Sequence, residues 1–238
     1  MLDFDSVSVC GEKQGGFDSI GVSEESYCSC FMVADGKTVP GFSNLVVKTV
    51  LEDFQGKSEI STSTLPQFFD HAQEKLTSFQ TEDLSPGGVA TAVLLTDGDL
   101  ALWAHIGDCR IYHLQDRLLY EITPDHSASY ARFEAGELRY PKIRTDRLRQ
   151  KVTRLMGMEQ NFVPAFSKPI KVRKNDSFLV CTDGFWENIH ERQIERCLKH
   201  SRTAKDWLKK MQKIVEKNRS QGKYTKVLDD YSAIVVRI

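Results

Sequence analysis

The sequence lacks any long hydrophobic run. No window approaches the roughly 18 apolar residues of a membrane-spanning helix, and Met1-Leu2-Asp3-Phe4-Asp5 is acidic where a secretory leader is basic and then apolar. Both absences predict a cytoplasmic protein without a membrane partner. Net charge is missing too: 32 Lys and Arg against 33 Asp and Glu leave −1 at pH 7, with a pI near 6.6. Such a chain carries no sequence-wide basic field of the kind nucleic acid attracts, so nucleic acid is not expected as a partner. Cysteine is sparse, at 6 in 238 residues, and no pair has C-x-x-C spacing, which argues against a disulfide scaffold. Cys28 and Cys30, two apart on an expected strand, read as buried reduced thiols rather than a zinc pair. The histidines form neither H-x-H nor H-E-x-x-H, so those common metal arrangements are absent. No internal repeat, low-complexity tract or linker interrupts residues 1–238, which therefore read as a single domain.

What is present suffices for a core: 40% of residues are hydrophobic and 27% charged, the ordinary globular balance. Apolar runs at 6–10 and 27–34 predict strands. Val46, Val50 and Phe54 fall four apart, one face of a helix beginning near Ser43. Thr64 and Gln67 have capping-box spacing ahead of a second helix whose apolar face is Phe68, Ala72, Leu76 and Phe79. Residues 89–96 and 100–106 flank Asp97-Gly98, predicting a hairpin closed by a type I′ turn. Residues 109–114 and 118–123 are expected to extend it into an antiparallel meander. The pattern weakens after Pro124 and charge rises, so a surface flap with some helix is expected around residues 126–152. The basic run 142–154 reads as a solvated face, His126 as loop support and Trp186 as core. Residues 178–182 predict a short buried strand, 192–200 and 204–218 helices, and 231–236 a closing strand.

The recurring event is an aspartate at a strand end: Ala34-Asp35-Gly36, Ile106-Gly107-Asp108, Thr182-Asp183-Gly184 and Asp229-Asp230. Rigid backbone holds such carboxylates, and oxygen ligands suit hard divalent ions. Singly, each Asp-Gly is a turn. Together they argue for clustering around metal, although spacing alone does not show that they converge.

Six segments taken in order decide the matter: Phe31-Met32-Val33-Ala34-Asp35-Gly36, Gly87-Gly88-Val89-Ala90-Thr91-Ala92, His105-Ile106-Gly107-Asp108-Cys109-Arg110, Ile122-Thr123-Pro124-Asp125-His126-Ser127, Val180-Cys181-Thr182-Asp183-Gly184-Phe185-Trp186 and Asp229-Asp230-Tyr231-Ser232. Their order resembles that of the type 2C, or PPM-type, metal-dependent serine/threonine phosphatases over nearly the whole chain, most closely the short bacterial members. The resemblance implies an α+β fold, a four-layer αββα sandwich with two central, mainly antiparallel sheets. It also implies a two-ion Mn²⁺ or Mg²⁺ site between them. Asp35 then matches the bridging metal ligand, Gly36 the backbone-carbonyl ligand, Asp183 and Asp229 the remaining ligands of the first ion, and Asp108 the acid of a third, weaker ion. The implied chemistry is attack of a metal-activated water on phosphoserine or phosphothreonine, with Asp18, Asp35 and Asp183 as catalytic groups. The implied partners are a phosphorylated protein substrate and the pathway of a cognate serine/threonine kinase.

The resemblance fails at the N-terminal motif, which here reads Lys13-Gln14-Gly15-Gly16-Phe17-Asp18. Lys13 stands for the phosphate-binding Arg and loses its two-pronged donor geometry. Phe17 stands where the second ion's carboxylate belongs, so that site is expected to be weakened; a register shifted toward Glu12 is the alternative. Lys37-Thr38-Val39-Pro40-Gly41 replaces a small glycine-rich turn, and Asp230 adds negative charge that partly compensates for Phe17. Two functions follow: an active phosphoprotein phosphatase, or a phosphatase-like binding protein that recognises a phosphorylated partner with weak or no catalysis.

Overall fold

The computed structural model describes residues 2–11, 16–80, 87–224 and 228–238. In chain order its strands are β1 (Asp3–Val9), β2 (Asp18–Glu24), β3 (Ser29–Gly36), β4 (Val89–Thr96), β5 (Leu100–Ile106), β6 (Arg110–Gln115), β7 (Leu118–Ile122), β8 (Ala165–Phe166), β9 (Ile170–Lys171), β10 (Ser177–Cys181) and β11 (Tyr231–Arg237). Its α-helices are α1 (Phe42–Phe54), α2 (Thr64–Ser78), α3 (Ala128–Glu134), α4 (Asp183–Trp186), α5 (Glu191–Lys199) and α6 (Ala204–Ser220). Among the described residues, no helix is long and apolar enough to cross a membrane.

The strands form two antiparallel sheets, one ordered β1-β11-β10-β6-β7 and the other β2-β3-β4-β5-β8, with β9 also on β5. Side chains of a strand point alternately to its two faces, and both faces of the central strands are covered. From β3, Phe31 and Val33 point between the sheets, where they join Leu94, Phe178, Val180, Ile234 and Val236. Met32 points the other way, toward Val46, Val50 and Phe54 of α1 and Phe68, Ala72 and Leu76 of α2. On the opposite flank Leu179 and Val235 meet Ile194 and Leu198 of α5 and Trp207, Met211 and Val215 of α6. Three apolar layers thus separate four layers of secondary structure, the αββα order.

Four local expectations change. The strand pair β6-β7 does not extend the β4-β5 hairpin: after β5 the chain crosses to the other sheet at Gly107-Asp108-Cys109. Gly107 makes the crossing at φ +89°, against Ala90, where a Cβ has no room. The β4-β5 turn is not type I′. Asp97 Oδ1 accepts from the backbone N–H groups of Asp99 (2.9 Å) and Leu100 (2.6 Å), an Asx turn with Gly98 at φ +91°. The two-residue turn with both φ values positive falls instead at Asp116-Arg117, φ 48° and 65°, between β6 and β7. Thr64 lies inside α2 with Ser63 as N-cap, so no capping box forms there, and Phe79 follows the helix and is exposed.

The segment 126–152 contains α3 and a 3-10 helix, Tyr140–Thr145. It is bound to the body of the protein. Arg144, 3% exposed, donates to the carbonyls of Trp186 (2.8 Å) and Ile189 (2.6 Å) and to Glu191 Oε1 (2.7 Å). Within it, Asp146 accepts from Ser129 Oγ (3.0 Å) and Arg132 Nη1 (2.7 Å). The basic run is therefore not a uniformly solvated face, because loop carbonyls of the body offer acceptors that pull an arginine inward.

Candidate metal centre

Both sheets contribute to one end of the sandwich. Asp35 is the penultimate residue of β3, Asp108 sits in the crossing between β5 and β6, and Asp183 opens α4 just after β10. Carboxylate oxygens of the three lie within 4.8 Å of one another. Gly184 is crowded against the backbone of Asp230, which leaves no room for a larger residue after Asp183. Trp186, buried as expected of core, also donates through Nε1 to the Asp108 carbonyl (2.9 Å). Behind it lies the guanidinium of Arg110, centred 3.4 Å from the Trp186 ring and paired twofold with Asp125 at 2.6 Å. Nothing in the sequence spacing of Arg110 and Asp125 reveals that they pair with each other behind the Trp186 ring that bonds Asp108.

Lys37 enters this group. Its Nζ lies 2.5 Å from Asp35 Oδ2, 3.2 Å from Asp183 Oδ2 and 3.2 Å from Asp108 Oδ1. One ammonium does not balance the charge. Burial holds the Asp35 carboxyl well above the usual range, Lys37 opposing and Asp183, Asp18 and Asp108 adding. Burial likewise raises Asp108 to about 6 against the pull of Lys37. Burial also favours neutral Asp183, but Lys37 and the Gly184 N–H outweigh it and hold that carboxyl below its usual range. Ionised together, the three carboxylates would exceed the one cation by two charges, which is why Asp35 and Asp108 are pushed toward the neutral form and why a further cation suits the group. Asp108 Oδ1 is buried without a hydrogen-bond partner. An all-oxygen donor set with an orphaned carboxylate oxygen fits a hard divalent ion.

The remaining candidates distribute around this trio. Asp18 opens β2 directly opposite Asp35 and accepts from Thr182 Oγ1 at 2.8 Å, linking the two sheets. Burial, reinforced by Asp183, raises its carboxyl to about 7 although the Thr182 bond lowers it. Gly36 pairs with Val89 and donates its N–H to the Phe17 carbonyl (2.8 Å). Phe17 therefore does flank Asp35-Gly36. Asp229 is not part of the three-carboxylate group; it lies just before β11, and its Oδ1 accepts from the N–H of Asp230 (3.1 Å). Its neighbour Asp230 turns inward and accepts from the backbone N–H groups of Gly11 (2.6 Å), Phe17 and Asp18 (3.2 Å). This carboxylate thus ties Gly11, Phe17 and Asp18 to the start of β11 rather than joining the trio. Lys13 and Glu12 lie outside the described residues.

Comparison with known proteins agrees with this geometry. A sequence profile described as protein phosphatase 2C matches residues 13–230. The serine/threonine phosphatase stp of Listeria monocytogenes is 27% identical over 125 residues, 52% of this chain and 49% of that protein. Protein phosphatase PhpP of Streptococcus pneumoniae is 27% identical over 107 residues, 45% of this chain and 43% of that one. The matches span about half the length of these curated relatives. Among solved structures, Stp1 of Staphylococcus aureus superposes with a TM-score of 0.87 at 19% identity, covering 100% of this chain and 95% of that one. The catalytic domain of PstP, solved with 2 manganese ions, gives 0.80 at 17% identity, covering 99% and 97%. The structural likenesses establish the shared fold, and the profile match over most of the sequence establishes that the chain belongs to the protein phosphatase 2C family.

Proposed function

We propose that this chain is a metal-dependent protein serine/threonine phosphatase, one catalytic domain acting on phosphoserine and phosphothreonine of a protein substrate in the cytoplasm, opposite a cognate kinase. The observation that carries this reading is the convergence of Asp35, Asp108 and Asp183 from both sheets to within 4.8 Å, one of their oxygens buried without a hydrogen bond. Asp35, Asp108 and Asp183 would hold Mn²⁺ or Mg²⁺, with Asp229 and the Gly36 carbonyl completing the set. Bound there, a divalent ion polarises phosphoryl oxygens and makes water a nucleophile near neutral pH. The chain's own part is to fix its carboxylates on two rigid sheets. Asp18, whose carboxyl is raised to about 7, is suited to hold or accept a proton at the edge of the trio. Lys13 is proposed to meet the substrate phosphate.

The second reading, a phosphatase-like binding protein, draws support from two departures: Phe17 in place of a carboxylate, and Lys37 among the acids. Hydrolysis of para-nitrophenyl phosphate with Mn²⁺, Mg²⁺ or chelator separates the two. The expected result is turnover that needs metal and is lost in folded Asp183→Asn. Absence of turnover at any metal concentration favours the binding protein.

A further inference from the structure

The position an ion would share among Asp35, Asp108 and Asp183 is held by a side chain of the protein itself. Lys37 Nζ touches all three carboxylates, at 2.5 to 3.2 Å. A small divalent ion sits about 2.0–2.1 Å from its oxygens, so it needs the space this ammonium fills. Charge adds to the conflict, because a divalent ion repels an adjacent ammonium twice as strongly as another monovalent cation would. The trio also has unused capacity: Asp108 is 3% exposed, and its Oδ1 has no hydrogen bond despite the nearby ammonium.

We propose that Lys37 is a built-in competitor for the metal: it holds Asp35, Asp108 and Asp183 together in the ion-free protein and must leave before a divalent ion binds them. This rests on the reading of the trio as a metal site. The geometry makes such an exchange local. The Lys37 backbone N–H is bonded to the Gly88 carbonyl at 2.9 Å, so the main chain stays anchored. The side chain is 24% exposed, and its four-carbon stem gives it a path toward solvent without moving a sheet. Lys37 follows Asp35 by two residues, directly beyond the end of β3, so the ammonium remains tethered to the site it vacates and returns when the ion departs. Metal affinity is then set by an exchange between two cations rather than by filling an empty cage, and the ion concentration at which the protein becomes loaded is correspondingly high.

The test compares wild type with Lys37→Met, which keeps the stem and removes the charge, and with Lys37→Ala. Mn²⁺ affinity is measured by calorimetry, and melting is followed in chelator and in Mn²⁺. The expected result is at least tenfold tighter Mn²⁺ binding in both variants, with a lower melting temperature than wild type in chelator, where three carboxylates lose their counter-charge. A merely structural lysine lowers the melting temperature without raising affinity, and unchanged or weaker Mn²⁺ binding in a folded variant overturns the proposal. If wild type and variants all fail to bind Mn²⁺, the metal reading falls with it; if all bind equally, the competitor role alone falls. Acylation of lysines in wild type, read by mass spectrometry, needs no variant to fold: Mn²⁺ should raise labelling at Lys37, and unchanged labelling at saturating Mn²⁺ defeats the idea.

Discussion

Asp230 and Phe17 show what single residues do at the edge of the site. A carboxylate that accepts three backbone N–H bonds, from Gly11, Phe17 and Asp18, fixes the chain on both sides of residues 12–15. Removing it leaves part-buried donors that water reaches only in part, so each costs no more than the low end of the about 1–3 kcal/mol of a fully buried orphan. Asp230→Ala is therefore expected to lower stability by about 2 kcal/mol and to weaken Mn²⁺ binding through displacement of Phe17 and Asp18, whereas Asp230→Asn, which keeps one acceptor, loses less. Urea unfolding with Mn²⁺ titration checks both. Phe17, immediately before β2, lies against Gly36. Phe17→Glu brings a carboxylate beside Asp35, and we expect tighter Mn²⁺ binding by calorimetry, about tenfold for each 1.4 kcal/mol gained. A lower melting temperature without tighter binding would mean that the ring is only packing. At this scale Asp35, Asp108 and Asp183 were legible, since each ends an apolar run. The inward turn of Asp230, the exclusion of Asp229 from the trio and the reach of Lys37 into it were not. Adjacent residues share a spacing signal, and only the tertiary path says which side chain points in.

At the level of elements, hydrophobic periodicity located most strands and helices because burial enforces it: Val46, Val50 and Phe54 are 0%, 1% and 0% exposed, as the four-residue spacing requires. What it missed was connection. The jump from one sheet to the other at Gly107 leaves the apolar pattern of β5 and β6 unchanged, so a meander and a crossing look alike in sequence. That crossing is also guarded by a histidine. The Gly107 N–H donates to His126 Nδ1 at 3.1 Å, and His126 stacks on His105 with centroids 4.6 Å apart. Burial, helped by His105 and Arg154, depresses the His126 pKa from 6.5 to about 3. Because the folded value is the lower one, its stabilising effect is fully present above pH 6.5 and is lost as pH falls toward 3, at up to about 1.4 kcal/mol per pH unit. Wild type should thus lose about 2 kcal/mol from this group between pH 7 and pH 5. His126→Gln, which retains an acceptor and does not titrate, should show a shallower decline in thermal melts over that range. The flap has its own anchor: Arg144→Met leaves two carbonyls and Glu191 without their buried donor, with an expected loss of about 3 kcal/mol.

The molecule as a whole holds its acids on two separate sheets, so the inter-sheet core determines their spacing, and their mutual repulsion acts against that core. Asp18 makes the conflict measurable, because it pairs with Asp35 in one sheet and bonds to Thr182 of the other. Burial and Asp183 raise its carboxyl from 3.8 to about 7. For a carboxylate whose folded pKa is the higher one, stability is fully present below 3.8 and lost as pH rises through about 7, so at pH 8 ionised Asp18 costs the fold energy. Asp18→Asn removes that charge and retains an oxygen for Thr182. In chelator at pH 8 the variant should therefore melt above wild type, by about 2–4 °C for each kcal/mol relieved in a chain of this size. With Mn²⁺ at 100 times its dissociation constant, wild type gains about 2.7 kcal/mol by mass action. The variant, having surrendered part of the negative field that attracts the ion, gains less, and the two melting curves should exchange order. Four melts decide it. If Asp18→Asn melts lower in chelator as well, Asp18 is a net stabilising residue and the crowded acids are not a burden the ion relieves. If the order is the same with and without Mn²⁺, Asp18 does not help to hold it.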